Sequence, residues 1–185
     1  MANIWFTSDL HFYHNRDFLF VPRGFETTED MVEAEIIRWN EVVADEDTVY
    51  VLGDCILNDN ERGIAALKRL KGHKHLIFGN HDTDARIKLY KENGIFETMQ
   101  YALMIKPGKK AFYLSHYPTV TGNHDGTAPY NIHGHTHSKD KWCDIEGCYN
   151  VNQDAHNCYP VNIEQIKKEL RERMVNTKIK EEKNA

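Results

Sequence analysis

The sequence has little that would place the protein in a membrane, outside the cell or on nucleic acid. No apolar run approaches the roughly 18 residues that a membrane-spanning helix needs, and the first residues lack the basic start and apolar stretch of a signal peptide. The chain has 23 Lys and Arg residues and 28 Asp and Glu residues, which gives a net charge of −5. These absences predict a cytoplasmic protein that binds neither a membrane nor duplex nucleic acid.

Cysteine is also scarce. The four cysteines among 185 residues (Cys55, Cys143, Cys148 and Cys158) are too few and too unevenly spaced for a disulfide-stabilised scaffold, so reduced thiols are the simplest interpretation. The alternative is a zinc site that combines Cys143, Cys148 and Cys158 with His156. Its C-x4-C and C-x9-C spacings do not match the usual zinc knuckles.

Length and composition predict one globular domain. Hydrophobic residues make up 41% of the chain and charged residues 28%, which is typical of soluble globular proteins. No internal repeat and no linker divides the sequence. We expect residues 1–175 to form a single domain and residues 176–185 to form a charged, frayed tail.

The distribution of strand and helix patterns predicts an α/β fold. In the first half, strand patterns at 4–7, 48–52 and 75–78 alternate with amphipathic helices, the first of which begins after Thr27. In the second half strands dominate, with a hairpin over 101–115, further strands at 131–133 and 149–152, and a last helix over 163–174. Strands joined by helices in this order favour mixed β-sheets with helices outside.

Histidine is abundant, with eleven residues, and five of them stand in short polar clusters that each follow a predicted strand. The clusters are Asp9-x-His11, Gly53-Asp54, Gly79-Asn80-His81-Asp82, Ser115-His116 and Gly134-His135-Thr136-His137. Ligand sites in open α/β sheets lie beyond the carboxyl ends of the strands. We therefore expect the five clusters to meet in space.

Together the clusters supply two carboxylates, one amide and four imidazoles, with His81 as a spare imidazole. Seven donors exceed the needs of one metal ion and suit two. Imidazole and carboxylate without thiolate favour Mn, Fe, Zn, Ni or Co over Ca. In an extended segment, the i, i+2 spacings of Asp9 with His11 and of His135 with His137 would place both side chains on one side.

The order of these clusters resembles the calcineurin-like metallophosphoesterases, whose pattern is D-x-H, G-D, G-N-H-[DE], a lone H and G-H-x-H. All five elements occur in that order between Ile4 and about Pro160. Residues 7–12 and 159–161 are similar to the short bacterial and phage members. Cys55 departs from the pattern, since many relatives carry a polar residue near that position. The resemblance implies a β-sandwich-like core of mixed sheets flanked by helices.

The resemblance also implies how two divalent ions would be held. One ion would be bound by Asp9, His11 and His137, the other by Asn80, His116 and His135, and Asp54 would bridge both. Manganese is the expected metal, with Fe, Zn, Ni or Co as alternatives. Two carboxylates and two divalent ions would leave the site positive, which suits a phosphate.

Three neighbouring residues are the expected catalytic group. Metal-bound Asn80 would hold His81 beside the phosphate, and His81 would stabilise the transition state or protonate the leaving oxygen. In the family the acid that follows orients this histidine, which here is Asp82. His81 itself is not expected to bind metal.

Further residues are candidates for substrate contact. His14 and Arg16 follow the first cluster, Arg23 offers a bidentate guanidinium for a phosphate oxygen, and His124 lies in a polar loop between two clusters. A solvated surface position is the alternative for His14 and for both arginines. His133 is expected to pack beside the site rather than to bind metal.

These observations predict a binuclear metal-dependent phosphoric ester hydrolase. Its substrate would be a small, nucleotide-like phosphodiester or phosphomonoester, attacked directly by a metal-bridging hydroxide. One alternative is a protein phosphatase. Another is a catalytically silent scaffold on the same fold. The sequence does not define the oligomeric state.

Overall fold

The structure, a computed structural model, describes residues 2–122 and 128–184, with side chains described up to residue 175. Within these ranges the chain forms nine β-strands. They are β1 (Ile4–Thr7), β2 (Thr48–Val51), β3 (His73–Ile77), β4 (Thr98–Gln100), β5 (Ala102–Ile105), β6 (Phe112–Ser115), β7 (Tyr130–His133), β8 (Cys148–Asn150) and β9 (Val161–Asn162).

The same part of the chain contains five α-helices. They are α1 (Asp17–Phe20), α2 (Thr28–Val42), α3 (Asn60–Lys68), α4 (Asp84–Glu92) and α5 (Ile163–Asn184). As expected, α2 begins after Thr27, whose hydroxyl accepts a hydrogen bond from the Asp30 amide at 3.1 Å. None of the described helices is long and apolar enough to cross a membrane.

The strands form two mixed sheets. The first has the order β4-β3-β2-β1-β9, in which β1 to β4 are parallel and β9 runs antiparallel to β1. The second has the order β5-β6-β7-β8, in which the predicted β5–β6 hairpin is antiparallel and the other pairs are parallel. The predicted α/β fold with mixed sheets and flanking helices is confirmed.

Side-chain alternation along the first sheet builds two hydrophobic cores. Val49 and Val51 point to one face, where they pack in a buried cluster with Trp39 of α2. Phe6 points to the other face and packs in a second cluster with Ile132 of the second sheet. The sheets therefore stack as a sandwich, with helices covering the outer face of the first sheet.

Some elements differ from the sequence-based expectations. β4 and β9 were not predicted, because three and two residues are too few to show alternation. The predicted end of the last helix at Met174 is wrong, since α5 continues to Asn184 through most of the expected frayed tail. Its Lys- and Glu-rich sequence has high helix propensity. Met174, expected on the buried stripe, is 38% exposed.

The buried side chain of His156 makes the stability of the folded protein depend on pH in the mildly acidic range. Its ring is buried, Nε2 donates to the Asn150 carbonyl at 2.8 Å, and burial lowers its pKa to about 4. The unfolded chain binds a proton near pH 6.5, whereas the folded chain does so only near pH 4. The stabilisation is therefore complete above pH 6.5, and about 3 kcal/mol is lost as the pH falls to 4.

We expect His156→Gln, which keeps an N–H donor, to flatten this acid dependence. Urea unfolding of metal-loaded wild type and variant at pH 7 and pH 5 measures the difference. The gap in unfolding free energy between the two pH values is expected to be smaller in the variant. An equal difference in unfolding free energy in wild type and variant would show that another group causes the loss of stability at acidic pH.

Candidate metal centre

The loops that follow five strands bring all seven predicted metal donors together. The side chains come from the turn after β1, the turn after β2, the turn after β3, the residue after β6 and the loop after β7. The seven donors are Asp9, His11, Asp54, Asn80, His116, His135 and His137. The expectation that the clusters meet at strand ends is confirmed.

One group of donors combines Asp9, His11 and His137, whose ligand atoms all lie within 4.8 Å of one another. His11 Nε2 lies 3.2 Å from His137 Nε2, and Asp9 Oδ1 lies 3.9 Å and 3.7 Å from these two nitrogens. Neighbouring ligands on one ion, each about 2.1 Å from it, are separated by roughly 3.0–3.5 Å. The spacing of this group therefore fits a metal ion with little adjustment.

A second group surrounds His116. Its Nε2 lies 3.0 Å from Asn80 Oδ1, 3.2 Å from His135 Nδ1 and 3.6 Å from Asp54 Oδ2. The same Asp54 oxygen lies 3.8 Å from His11 Nε2 in the first group. Asp54 thus stands between the two groups, where one carboxylate can face two ions.

A buried oxygen without a partner supports the presence of a cation. Asp9 is fully buried, and its Oδ2 accepts hydrogen bonds from Ser8 Oγ at 2.6 Å and the His135 amide at 2.9 Å. Its Oδ1 has no hydrogen-bond partner among the described residues. An unpaired buried carboxylate oxygen is unfavourable unless a cation meets it. The residues present therefore fit the divalent ions that the resemblance implies.

The electrostatic environment also suits metal binding. Burial lowers the pKa of His11 well below its usual value, and His137 and Arg23 lower it further. Burial likewise lowers the pKa of His135. Burial raises the pKa of Asp54, against the opposing effect of His116. His11 and His135 therefore favour the neutral form that a metal ligand needs, and the buried Asp54 carboxylate lacks the positive charge that ions would supply.

Comparison with known proteins identifies the family of the chain. The sequence model of the family described as calcineurin-like phosphoesterase matches residues 2–179. The chain belongs to this family. It is 35% identical over 177 residues to an uncharacterized protein of Methanocaldococcus jannaschii, with 91% of each chain covered. It is 33% identical to the Gene 66 protein of Mycobacterium phage L5, over 75% of this chain and 79% of that protein.

A solved structure shares the fold of this calcineurin-like phosphoesterase. It is a protein of unknown function from Aquifex aeolicus, 26% identical, with a TM-score of 0.73. The match covers 91% of this chain and 99% of that chain. The architecture described above is therefore one that related chains of similar length adopt.

The backbone of this phosphoesterase is strained where it carries the donors. Five of the seven predicted donor residues have positive φ: Asp9 (57°), His11 (49°), Asp54 (58°), His135 (69°) and His137 (46°). The expectation that the two i, i+2 pairs lie on extended segments is wrong, because left-handed turns aim these side chains. Non-glycine residues in this region are strained, and such strain is concentrated at functional sites.

Two glycines let these turns approach each other closely. A Cβ on Gly79 would overlap the Asp54 carboxylate and lie 2.6 Å from the Asp54 amide nitrogen. A Cβ on Gly134 would overlap Ser8 and lie 2.5 Å from Asp9 Oδ2. The glycines of the sequence clusters therefore make room for the donor carboxylates.

Asp82 does not orient the His81 ring, contrary to expectation. Its Oδ2 accepts from the amides of Asp54 and Gly79, both at 2.9 Å, and its Oδ1 accepts from Cys55 N at 3.3 Å and Tyr90 Oη at 3.0 Å. The carboxylate therefore joins the turns after β2 and β3. It positions the donor loops rather than the imidazole.

Arg23 is neither a phosphate ligand nor a surface residue. Its side chain is 1% exposed and ion-pairs with Glu35 at 3.0 Å and bidentately with Asp154 at 3.0 and 3.1 Å. It also donates to the Asp9 carbonyl at 2.9 Å. Asp154 in turn accepts from His137 Nδ1 at 2.9 Å. This chain of contacts holds His137, and such partners orient metal-binding histidines.

Sequence reasoning missed Asp154 and Glu35. Asp154 stands in a short 3-10 helix, Gln153–Ala155, outside the five clusters, so no spacing identifies it. Glu35 lies next to Ile36 of the predicted apolar stripe of α2. A charged residue beside that stripe was the only sign in the sequence of a buried carboxylate. The structure buries it, and burial raises its pKa to about 7 against the effect of Arg23.

We expect Asp154→Asn to weaken metal binding at the His137 group by roughly 10-fold or more. Burial tends to lower the His137 pKa, but the Asp154 hydrogen bond and the charges of Asp9 and Asp154 together outweigh burial, and the pKa is raised. Without that carboxylate, His137 loses its fixed orientation. Calorimetric Mn²⁺ titration checks this, with Asp140→Asn, at an exposed position in the loop between β7 and β8, as a matched control. Equal affinities in both variants would exclude the positioning role.

The remaining substrate candidates lie at the rim. The His14 ring is 5.6 Å from the His11 ring and 5.5 Å from that of Phe18, and Arg16 is exposed nearby. The side chain of His81 is 43% exposed, with Nε2 4.0 Å from Asp54 Oδ2. His124 lies outside the described residues. Their contacts with substrate stay a prediction.

The zinc site considered from sequence is not formed as proposed. His156 Nε2 is bound to the Asn150 carbonyl, and Cys158 lies beside Glu35 and Arg23. Cys143 and Cys148 lie with His133 instead.

Proposed function

We propose that the protein is a phosphoesterase that hydrolyses a small phosphodiester or phosphomonoester with two divalent metal ions. The observation that carries this proposal is Asp54, a buried carboxylate between two donor groups, with His81 half-exposed beside it. Two bound ions would act as Lewis acids and lower the pKa of water enough to make it a nucleophile at neutral pH. Manganese is the proposed metal.

The chain's own residues have distinct roles in this reaction. The His81 amide donates to Asp54 Oδ1 at 2.8 Å, so the backbone at His81 is fixed to the Asp54 carboxylate. Its half-exposed ring is free to face a phosphate from the solvent side. As the bond from phosphorus to the leaving oxygen breaks, a protonated His81 donates its proton to that oxygen. Before this step the same cation stabilises negative charge on the phosphoryl oxygens.

The surface around the centre favours a substrate with an aromatic group. Phe18 is 73% exposed and contacts His14, which contacts His11. Tyr117 is 49% exposed, and its ring lies 4.5 Å from that of His135. Each side of the donor set thus carries an exposed aromatic ring able to stack on a base. This supports a nucleotide-like ester over a phosphorylated protein side chain.

The complete donor set argues against the catalytically silent scaffold. A scaffold does not require seven metal ligands, the strained turns that aim them, or the half-exposed His81 imidazole. Maintaining buried carboxylates such as Asp9 without an ion would be unfavourable. The protein phosphatase alternative remains an outcome of the test below.

A substrate panel tests the proposal. Metal-free protein is reconstituted separately with Mn, Ni, Zn and Mg and assayed with bis-p-nitrophenyl phosphate, p-nitrophenyl phosphate, 2′,3′- and 3′,5′-cyclic nucleotides, and a phosphoserine peptide. We expect Mn-dependent turnover of a diester or nucleotide and little turnover of the peptide. Phe18→Ala is expected to raise KM for nucleotides more than for small esters that lack a base.

Two results would contradict the proposal. Preference for the phosphopeptide would favour the protein phosphatase alternative. No turnover with any metal and substrate, from protein shown to bind two ions, would favour the scaffold.

A further inference from the structure

A second donor cluster lies on the outer face of the second sheet, apart from the Asp54 centre. In the register of β7 and β8, Asn131 pairs with Cys148 and Ile132 with Tyr149. Ile132 and Tyr149 point into the core between the sheets, so His133 and Cys148 point to the opposite face. Cys143 approaches them from the preceding loop. The donor atoms of His133, Cys143 and Cys148 all lie within 4.8 Å of one another.

His133 carries the observation that points to a ligand. Its side chain is fully buried, and Nδ1 lies 2.9 Å from the Gly134 carbonyl. Because a carbonyl only accepts, Nδ1 carries the proton and Nε2 presents a lone pair. Nε2 has no hydrogen-bond partner among the described residues. A buried imidazole with one nitrogen bonded to a carbonyl and the other unpaired has the arrangement of a metal-binding histidine.

The two thiols complete a donor set of a different chemical kind from the Asp54 centre. The Cys148 thiol makes weak contacts at 3.5 Å to Asn131 Oδ1 and 3.6 Å to the Thr119 carbonyl, and it also interacts with the Cys143 thiol. Cys143 is partly exposed, so an ion can enter from that side.

We propose that His133, Cys143 and Cys148 bind one Zn²⁺ ion in a structural site separate from the phosphoesterase centre. On binding, both thiols release their protons to solvent and no electrons are transferred. Two thiolates balance the charge of Zn²⁺, so the buried complex is neutral. Soft sulfur ligands select zinc over manganese. The fourth tetrahedral position is filled by water at the exposed side of Cys143.

A zinc ion at this site would hold both ends of the segment that carries two donors of the Asp54 centre. His135 and His137 stand between His133 and Cys143 in the chain. An ion held at both ends of this segment closes it into a loop over the second sheet. The expected consequence is greater resistance of the loop to local unfolding, because its closed form is linked to metal binding.

Cobalt spectroscopy separates the two kinds of site. Metal-free protein is first loaded with Mn²⁺ and then titrated with Co²⁺. Only thiolate ligands give an intense sulfur-to-cobalt charge-transfer band in the near ultraviolet, and the Asp54 centre has none. We expect one equivalent of Co²⁺ to produce the band and Zn²⁺ to abolish it. Cys143→Ser is expected to weaken Co²⁺ binding by roughly 10-fold or more.

Two cysteine variants outside and inside the cluster provide the controls for this test. Cys158→Ser changes a buried cysteine outside the cluster and is expected to keep the band. Cys143 is partly exposed, so its variant is expected to fold even if Cys148→Ser does not. Absence of the band in wild type, an unchanged band in Cys143→Ser, or a Cys143–Cys148 disulfide in the protein as purified would each overturn the proposal.

Discussion

Replacing Asp54 with asparagine is expected to lower turnover by about 10³-fold and to release both ions of the Asp54 centre together. The carboxylate oxygen Oδ2 faces His11 at 3.8 Å in one donor group and His116 at 3.6 Å in the other. Asparagine keeps the acceptor for the His81 amide but loses the negative charge. Mn²⁺ titration calorimetry and activity assays measure the two losses.

The unfolding temperature of the metal-free variant distinguishes a loss of metal binding from a failure to fold. Burial raises the pKa of Asp54, so ionisation of this carboxyl opposes folding in the metal-free protein at neutral pH. We therefore expect metal-free Asp54→Asn to unfold at the same temperature as wild type or higher. Asp45→Asn, at an exposed loop position, is the control that should change neither metal content nor turnover. Loss of one ion with the other bound normally would mean that Asp54 does not bridge.

His81→Ala is expected to reduce turnover of an alkyl or ribose ester by roughly 10²–10⁴-fold while metal content is unchanged. The backbone amide that holds Asp54 Oδ1 is present in alanine as well. Only the half-exposed imidazole is lost. A p-nitrophenolate group leaves without needing a proton, so the p-nitrophenyl ester should be affected far less.

The comparison of kcat/KM for both esters, at matched metal occupancy, tests this assignment. His73 is an exposed histidine at the end of β3 that lies away from the site. His73→Ala therefore controls for general effects of removing an imidazole. Reduced metal content in His81→Ala would make His81 a ligand. Equal losses on both esters would exclude proton donation and leave charge stabilisation as its role.

The convergence of the candidate donors could be predicted from the sequence because these residues stand at strand ends. Asp9, Asp54 and His116 each follow a strand that is identifiable from β-branched and apolar residues. Parallel neighbours in one sheet end at the same edge, so the clusters after β1, β2 and β3 meet at one edge of the first sheet and those after β6 and β7 at one edge of the second. The stacking of the two sheets brings these two edges together. In the structure, Gly79 and Gly134 stand where two turns meet and lie against the donor carboxylates.

Other features depend on long-range packing that no local pattern encodes. Arg23 looks like a surface residue in sequence, yet Asp154, 131 positions away, and the Asp9 carbonyl hold it in the interior. Asp82 follows His81 directly, but its carboxylate is turned toward the amides of a neighbouring loop. His133 acquires two thiol neighbours only because β7 and β8 pair side by side.

The central claim is that one carboxylate, Asp54, joins two metal ions. Metal-free protein is loaded with Mn²⁺, which the thiol cluster disfavours, then desalted and examined by elemental analysis and electron paramagnetic resonance. The account predicts about two Mn²⁺ per chain and the spectrum of an exchange-coupled pair, which Asp54→Asn abolishes. A fully active protein with one Mn²⁺ per chain, or two ions without magnetic coupling, would contradict it.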